Sequence, residues 1–297
     1  MSYKPTVAVL GSNGVLGKPV IEALSSEPFS SKFQLPIRVI TRSKGDRHDS
    51  EEVKYYTASL DDTASFKDAP HGADVLISLV GNGADPADIL DVLATAPSLK
   101  VYLPSQFGTD LENTQYLPVL AGKTNHTKQA RTQNPNVMVV DVITSLFAQE
   151  DSFVYERPQI SGANLENKTA TFRGDPAFKF NVSKFPDIGK SVAVIASTPV
   201  EKLKDTIRIY SDSVSQEEVV SQWEKAHGTK LERSSISAEE TLKEAKDKLT
   251  GGFKGSDFVF YLQTFISQGE GRGLAYHNIH DREFVNPGES LWKWETF

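Results

Sequence analysis

The chain has no cysteine, which excludes disulfides, thiolate-bound metal and a cysteine nucleophile together. No apolar run approaches the length of a membrane span. The chain enters a strand-like segment almost at once, with neither a signal-peptide pattern nor a basic amphipathic leader, so the expected address is the cytosol. A basic excess is also missing: the net charge of -7 argues against a nucleic-acid surface, which needs a concentrated basic face. There is no internal repeat and no low-complexity segment. What is there is a globular composition over 297 residues, enough for one large domain or a nucleotide-binding core with a smaller lobe.

The most informative stretch is Val7-Ala8-Val9-Leu10 followed by Gly11-Ser12-Asn13-Gly14-Val15-Leu16-Gly17. Consecutive apolar residues suit a strand covered on both faces, as in a parallel sheet. Gly11 permits a tight reversal, Gly14 lets a pyrophosphate approach the main chain, and Gly17 lets the following helix, Pro19 to Ser25, pack on the strand. The free N–H groups at that helix start would face the anion. The G-x-x-G-x-x-G spacing resembles that of extended and atypical short-chain dehydrogenases/reductases.

Residues 27–36 read as a loop before a second strand, Ile37 to Thr41. After it, a protein using NAD would place an acidic residue for the ribose hydroxyl. This chain has Thr41-Arg42-Ser43-Lys44, then Arg47. Arginine pairs with phosphate at fixed geometry and lysine adds a point charge, so Arg42 and Lys44 favour the extra phosphate of NADP. A third strand, Val53 to Thr57, leads to Ser59-Leu60-Asp61-Asp62, where the aspartates are expected to cap a helix over 63–68. Next come a strand over 73–80, the glycine pair Gly81 and Gly83, a helix over 86–96 and a strand over 100–103. A helix over 121–132 and a strand over 137–143 complete the alternation. It predicts an α/β fold, a Rossmann-like doubly wound parallel sheet whose strand ends bring these motifs to one edge.

Leu103-Pro104-Ser105-Gln106-Phe107-Gly108 resembles the P-S-E-F-G motif of the NmrA-like and isoflavone-reductase-like family of atypical short-chain reductases. The glycine loop, Arg42, the step at 59–62, Gly81 and Pro186-Asp187-Ile188-Gly189 match that pattern in order. The resemblance implies NADPH as cofactor, and either a reductase of small molecules or a non-catalytic NADP(H)-binding regulator of a protein partner. None of the nine tyrosines has a lysine four residues on, so the Y-x-x-x-K of ordinary members is missing. In the family a lysine on the helix after P-S-E-F-G serves instead. Lys123 falls at that position, with Lys128 as competitor. Such a lysine either assists protonation as charge develops on a hydride acceptor or binds the ribose hydroxyls. Ser105, at a strand end, either meets a substrate oxygen or satisfies local backbone. Gln106 replaces the family's glutamate and removes a possible acid-base partner.

Beyond residue 150 a mixed C-terminal substrate lobe, 151–297, is expected, partly returning to the sheet of the 1–150 core. Residues 168–172 and 178–182 around Gly174-Asp175-Pro176 read as a hairpin. Asp187 is expected to cap a helix over 188–197. Ser215 to Glu218 and Ser237 to Glu240 are capping boxes whose helices close at Gly228 and Gly251. An aromatic helix over 258–266 reads as core, the His277 and His280 pair as surface residues without a third metal ligand, and Trp292 and Trp294 as a docked tail. The whole predicts a small-molecule enzyme using NADPH, monomeric or homodimeric, without nucleic acid, membrane or metal.

Overall fold

The computed structural model describes residues 4–66, 70–81, 86–114, 116–150, 154 and 157–297. Strand β1 (Thr6–Leu10) is the middle of the molecule, with Val7, Ala8 and Val9 fully buried. Around it runs a six-stranded sheet in the order β3-β2-β1-β4-β5-β6, formed by β2 (Gln34–Thr41), β3 (Val53–Thr57), β4 (Val75–Ser78), β5 (Val101–Leu103) and β6 (Met138–Val139). Every pairing in it is parallel. Parallel strands need crossover connections, and α1 (Gly17–Ser25), α2 (Pro86–Ala94) and α3 (Ala121–Gln133) supply those from β1 to β2, β4 to β5 and β5 to β6. The apolar runs of β1 and β4 follow from this, since both faces of each strand are covered.

The second strand begins earlier than the sequence suggests, at Gln34, after a short 3-10 turn (Ser30–Lys32). A register shift opposite Thr6 and Ala8 accommodates Pro36, which has no N–H for the ladder. The strand expected over 137–143 is broken at Val140. Its first part pairs with β5, whereas β7 (Asp141–Ile143) pairs with β12 (Thr206–Arg208). After Asp62 there is one 3-10 turn (Thr63–Phe66) rather than an α-helix, and residues 67–69 lie outside the described set.

The C-terminal half comes back to the first. Strand β11 (Lys179–Ser183) pairs with β8 (Leu146–Phe147) and with β13 (Asp212–Ser215). The expected hairpin is absent because β10 (Thr169–Arg173) instead joins β9 (Ala163–Asn164) and β14 (Glu232–Ile236). Both strands have their partners elsewhere, and the Gly174 turn sits against Ser267 so closely that a Cβ would lie 2.9 Å from its carbonyl oxygen.

Helix α4 (Phe185–Ser197) packs on α1, and Gly189 makes this possible. A Cβ there would lie 2.3 Å from the Pro19 carbonyl oxygen. Asp187 is not the cap of this helix, whose N-cap is Lys184. It is fully buried in the first turn and accepts hydrogen bonds from Ser211 Oγ (2.7 Å) and the Glu295 N–H (2.9 Å). That second bond ties down the tail, where Trp292 and Trp294 are buried in the same apolar cluster as β1.

Helices α5 (Gln216–His227) and α6 (Ala238–Thr250) both open with complete capping boxes. Gly228 closes α5 in the left-handed conformation. At α6 that conformation falls to Gly252 (φ 83°) rather than Gly251. The aromatic helix α7 (Phe258–Ser267) buries Tyr261 and Phe265 in the C-terminal core.

Candidate active site

Because the six strands run one way, the loops after β1, β2, β3 and β4 emerge along one edge. Backbone bonds Gly11 N–H to Ile40 O, Leu79 N–H to Leu10 O and Ala58 N–H to Thr41 O hold those strand ends together. Between them lies a cleft of about 420 Å³. Residues 10–14, 40–42, 58–61 and 79–81 line it, with Phe66 and Asp88. It straddles β1 and β4, where the strand order reverses, the position at which open α/β sheets bind ligands.

The three glycines have different reasons to be there. Gly11 turns with φ 87°, in the region that favours glycine. Gly17 is pressed on its own loop, since a Cβ would lie 2.1 Å from Ser12 O. Gly14 has neither constraint. A Cβ there would come no nearer than 4.0 Å to Leu79 O, so the protein itself does not require glycine, yet Gly14 lines the cleft. Bare backbone facing a cleft is what the close approach of a diphosphate needs. No side chain caps α1, whose N-cap is Leu16, and this leaves its N-terminus available to an anion.

Of the loop, Gly11, Ser12, Asn13 and Gly14 line the cleft, whereas Val15 projects outward, Leu16 is buried and Gly17 lies beneath. Arg42 lines the cleft and is exposed. Lys44 does not line it. It donates to Asp49 at 2.9 Å and holds that carboxyl below the usual carboxylate range. Arg47, which does not line the cleft either, reaches the glycine loop: its guanidinium donates to Asn13 Oδ1 at 2.7 Å and lies over the Tyr55 ring. Gly81 lines the far end, and residues 82 and 83 lie outside the described set.

Ser105 follows β5, half-buried. Lys123 is half-buried in the first turn of α3, and burial pushes its ammonium down to about 8. A low dielectric disfavours the charged form. Neither residue lines the 420 Å³ cleft. Lys128 is exposed and lines a different, smaller cleft of about 130 Å³ with Asp110, Glu112, Arg131 and Asp141.

Between Lys123 and that second cleft is a buried network that sequence reasoning missed. Gln106 donates from Nε2 to Lys123 O (2.8 Å) and to Thr127 Oγ1 (2.5 Å). Thr127 donates to Asp141 (3.0 Å), whose other oxygen accepts from Arg131 (3.1 Å). Burial pushes the Asp141 carboxyl up to about 6 despite that arginine. The available signal was an aspartate inside the apolar run Val139-Val140-Asp141-Val142-Ile143. Nearby, Ser145 is a buried non-glycine residue at φ 55°, with the N–H groups of Thr144 and Ser145 both donating to Gly108 O. Phe147 stands edge-on to Phe185 at 5.3 Å.

His277 bridges Glu270 (2.7 Å) and Ser213 (2.9 Å), and among the described residues no group of three or more His, Cys, Asp or Glu is placed to hold a metal.

A sequence profile of the NmrA-like family matches residues 3–268. The chain belongs to the NmrA-like family. Within it, a phenylcoumaran benzylic ether reductase of Pyrus communis is 28% identical over 262 residues, 83% of this chain and 82% of that one. Solved structures agree in fold. One from a study of pinoresinol-lariciresinol and phenylcoumaran benzylic ether reductases superposes with a TM-score of 0.71 at 20% identity, covering 99% of this chain and 97% of the other. A leucoanthocyanidin reductase–NADPH complex from Vitis vinifera gives 0.68 at 18% identity, covering 98% and 96%. This NmrA-like chain therefore has the Rossmann-type α/β fold expected of it, shared with those structures over nearly the whole of the given sequence.

Proposed function

We propose that this chain is an NADPH-dependent reductase that passes hydride to a small unsaturated or carbonyl-bearing molecule of apolar, aromatic character. One observation carries the reading: a cleft at the sheet's switch point where unconstrained Gly14 bares the backbone beside Arg42. The names of its relatives, phenylcoumaran benzylic ether, pinoresinol-lariciresinol and leucoanthocyanidin reductases, supply the substrate class.

The residues divide the work as follows. The loop from Gly11 to Gly17, including Ser12, Asn13, Val15 and Leu16, presents N–H groups and the α1 N-terminus to the diphosphate, and Gly81 borders it from β4. Arg42 and Arg47 grip the 2′-phosphate, with Asn13 holding Arg47 in place. Lys44 contributes only long-range charge, since Asp49 neutralises it locally. NADPH supplies the hydride when bound. Lys123, with its proton held near neutrality, orients the ribose or delivers a proton to the acceptor atom, and Ser105 hydrogen-bonds the substrate oxygen. Among the described residues no helix is long and apolar enough to cross a membrane. A cytosolic monomer or homodimer acting on small molecules, without nucleic acid, fits this and the acidic charge.

Stopped-flow oxidation of bound NADPH against enones, quinones and aromatic ketones tests the reading. Turnover with at least one acceptor, abolished in Lys123→Met, is the expected result. Tight NADPH binding without turnover, together with a co-purifying partner, would instead support the redox-sensing regulator that Gln106 and the missing Y-x-x-x-K allow.

A further inference from the structure

We propose that Gln106 is a positioning residue for Lys123, acting through Thr127 and Asp141, and that its neutral amide is the form this network requires. The inference rests on Lys123 being the site lysine, and it begins with helix geometry. Lys123, Thr127 and Arg131 are spaced four apart and so form one line along α3. Each is tied on that side. Gln106 donates to the carbonyl of Lys123 and to the hydroxyl of Thr127, clamping two successive turns from the loop after β5. Thr127 and Arg131 then fasten the same line to Asp141 on β7. Arg131 also donates to Val139 O and Asp205 O. Loop, helix and strand are thereby locked where the lysine stands.

Donor accounting explains the amide. Thr127 has one hydroxyl proton, and it goes to Asp141. Gln106 must therefore donate to Thr127, as it does to the Lys123 carbonyl. An ionised glutamate, the residue of the family motif, has no proton for either acceptor and would sit within a 4% exposed site beside Asp141. The Gln106 carbonyl, Oε1, is buried with no hydrogen-bond partner, so only the amino end of the side chain is engaged. The departure from the family motif and the Thr127–Asp141 pair thus belong to one arrangement. The charged groups around it are Asp141 and Arg131 within the network, and Lys128, Asp110 and Glu112 along the adjoining cleft.

The test reads Lys123 directly in the ligand-free full chain, by competitive trace acetylation across pH with the modified lysine quantified by mass spectrometry. The wild-type residue should titrate near 8. Cutting the strut with Thr127→Val frees the first turn of α3, and the midpoint should move toward the ordinary lysine value by about one pH unit or more. Gln106→Glu should move it the same way, because a carboxylate favours the ammonium. Thr127→Ser keeps the hydroxyl and should restore the wild-type midpoint to within about 0.3 units. Gln106→Met, which removes the bonds to both Lys123 O and Thr127, tests the same strut from its other end if Thr127→Val fails to fold. A wild-type midpoint at the ordinary lysine value overturns the proposal. So does a midpoint unmoved by Thr127→Val and Gln106→Met, or a serine variant displaced as far as the valine one. Failure of the wild type to bind NADPH would sink the reductase reading and leave the labelling result intact, so the two failures are distinguishable.

Discussion

The glycine-loop edge and the α3 edge of this site are built by opposite means. At the loop, the working surface is backbone: N–H groups, a helix end and a bare Gly14, with few side chains involved. At α3, the working group we propose is one lysine, held by side chains from three separate segments, Gln106, Thr127 and Asp141. A backbone site is written in consecutive residues and survives any change that keeps its conformation. A side-chain network depends on residues far apart in sequence and fails at any one member.

The comparison is broken most severely at Gly17. Gly17→Ala would drive a Cβ into Ser12 backbone, and overpacking against backbone costs about 3 kcal/mol, which is roughly a hundredfold in NADPH affinity if the loop yields. Titration calorimetry and a thermal melt should both register it. Gly14→Ala separates the two demands, because it meets nothing in the protein. Its melting temperature should stay at the wild-type value while NADPH affinity falls. Gly189→Ala does the reverse: about 1–3 kcal/mol of stability lost at the contact of α4 with α1, with affinity retained by the folded protein. Arg42→Ala should weaken NADPH about tenfold and leave NADH unchanged, the modest figure reflecting an exposed charge. The smallest effect is expected at Lys44→Ala, within about twofold for either nucleotide, since Lys44 is paired with Asp49.

The α3 edge is sharpened by pH. Lys123 titrates at about 8 in the fold against an ordinary 10.5. Between those values the unfolded chain holds a proton that the folded chain has released, so stability should rise with pH across this window. Lys123→Met should flatten that rise in denaturant titrations. If Lys123 delivers the proton, kcat should fall as pH climbs through about 8, the opposite direction to stability.

What the sequence conveyed follows the same division. The parallel core was legible because strands buried on both faces are continuous apolar runs, and the glycine loop at the cleft because its glycines lie within seven residues. Arg42 was placed in the cleft, but Lys44 was not. That Asp49 pairs with Lys44 and Asn13 with Arg47 could not be read from local spacing. The 168–182 hairpin was misread because local turn chemistry at Gly174 says nothing of β14, some fifty residues on, which occupies one edge of β10. Asp187 was misread as a cap because its partners, Ser211 and Glu295, are distant. The Gln106 network was missed for the same reason.

The central claim is that this cleft holds a dinucleotide by its diphosphate and by the phosphate on its ribose. Side-by-side calorimetric titration of the wild-type chain with NADPH and NADH tests it most directly. NADPH should bind at least about tenfold more tightly, with the preference lost in a double Arg42→Ala, Arg47→Ala variant. Equal affinities, or no heat with either nucleotide, would contradict the account.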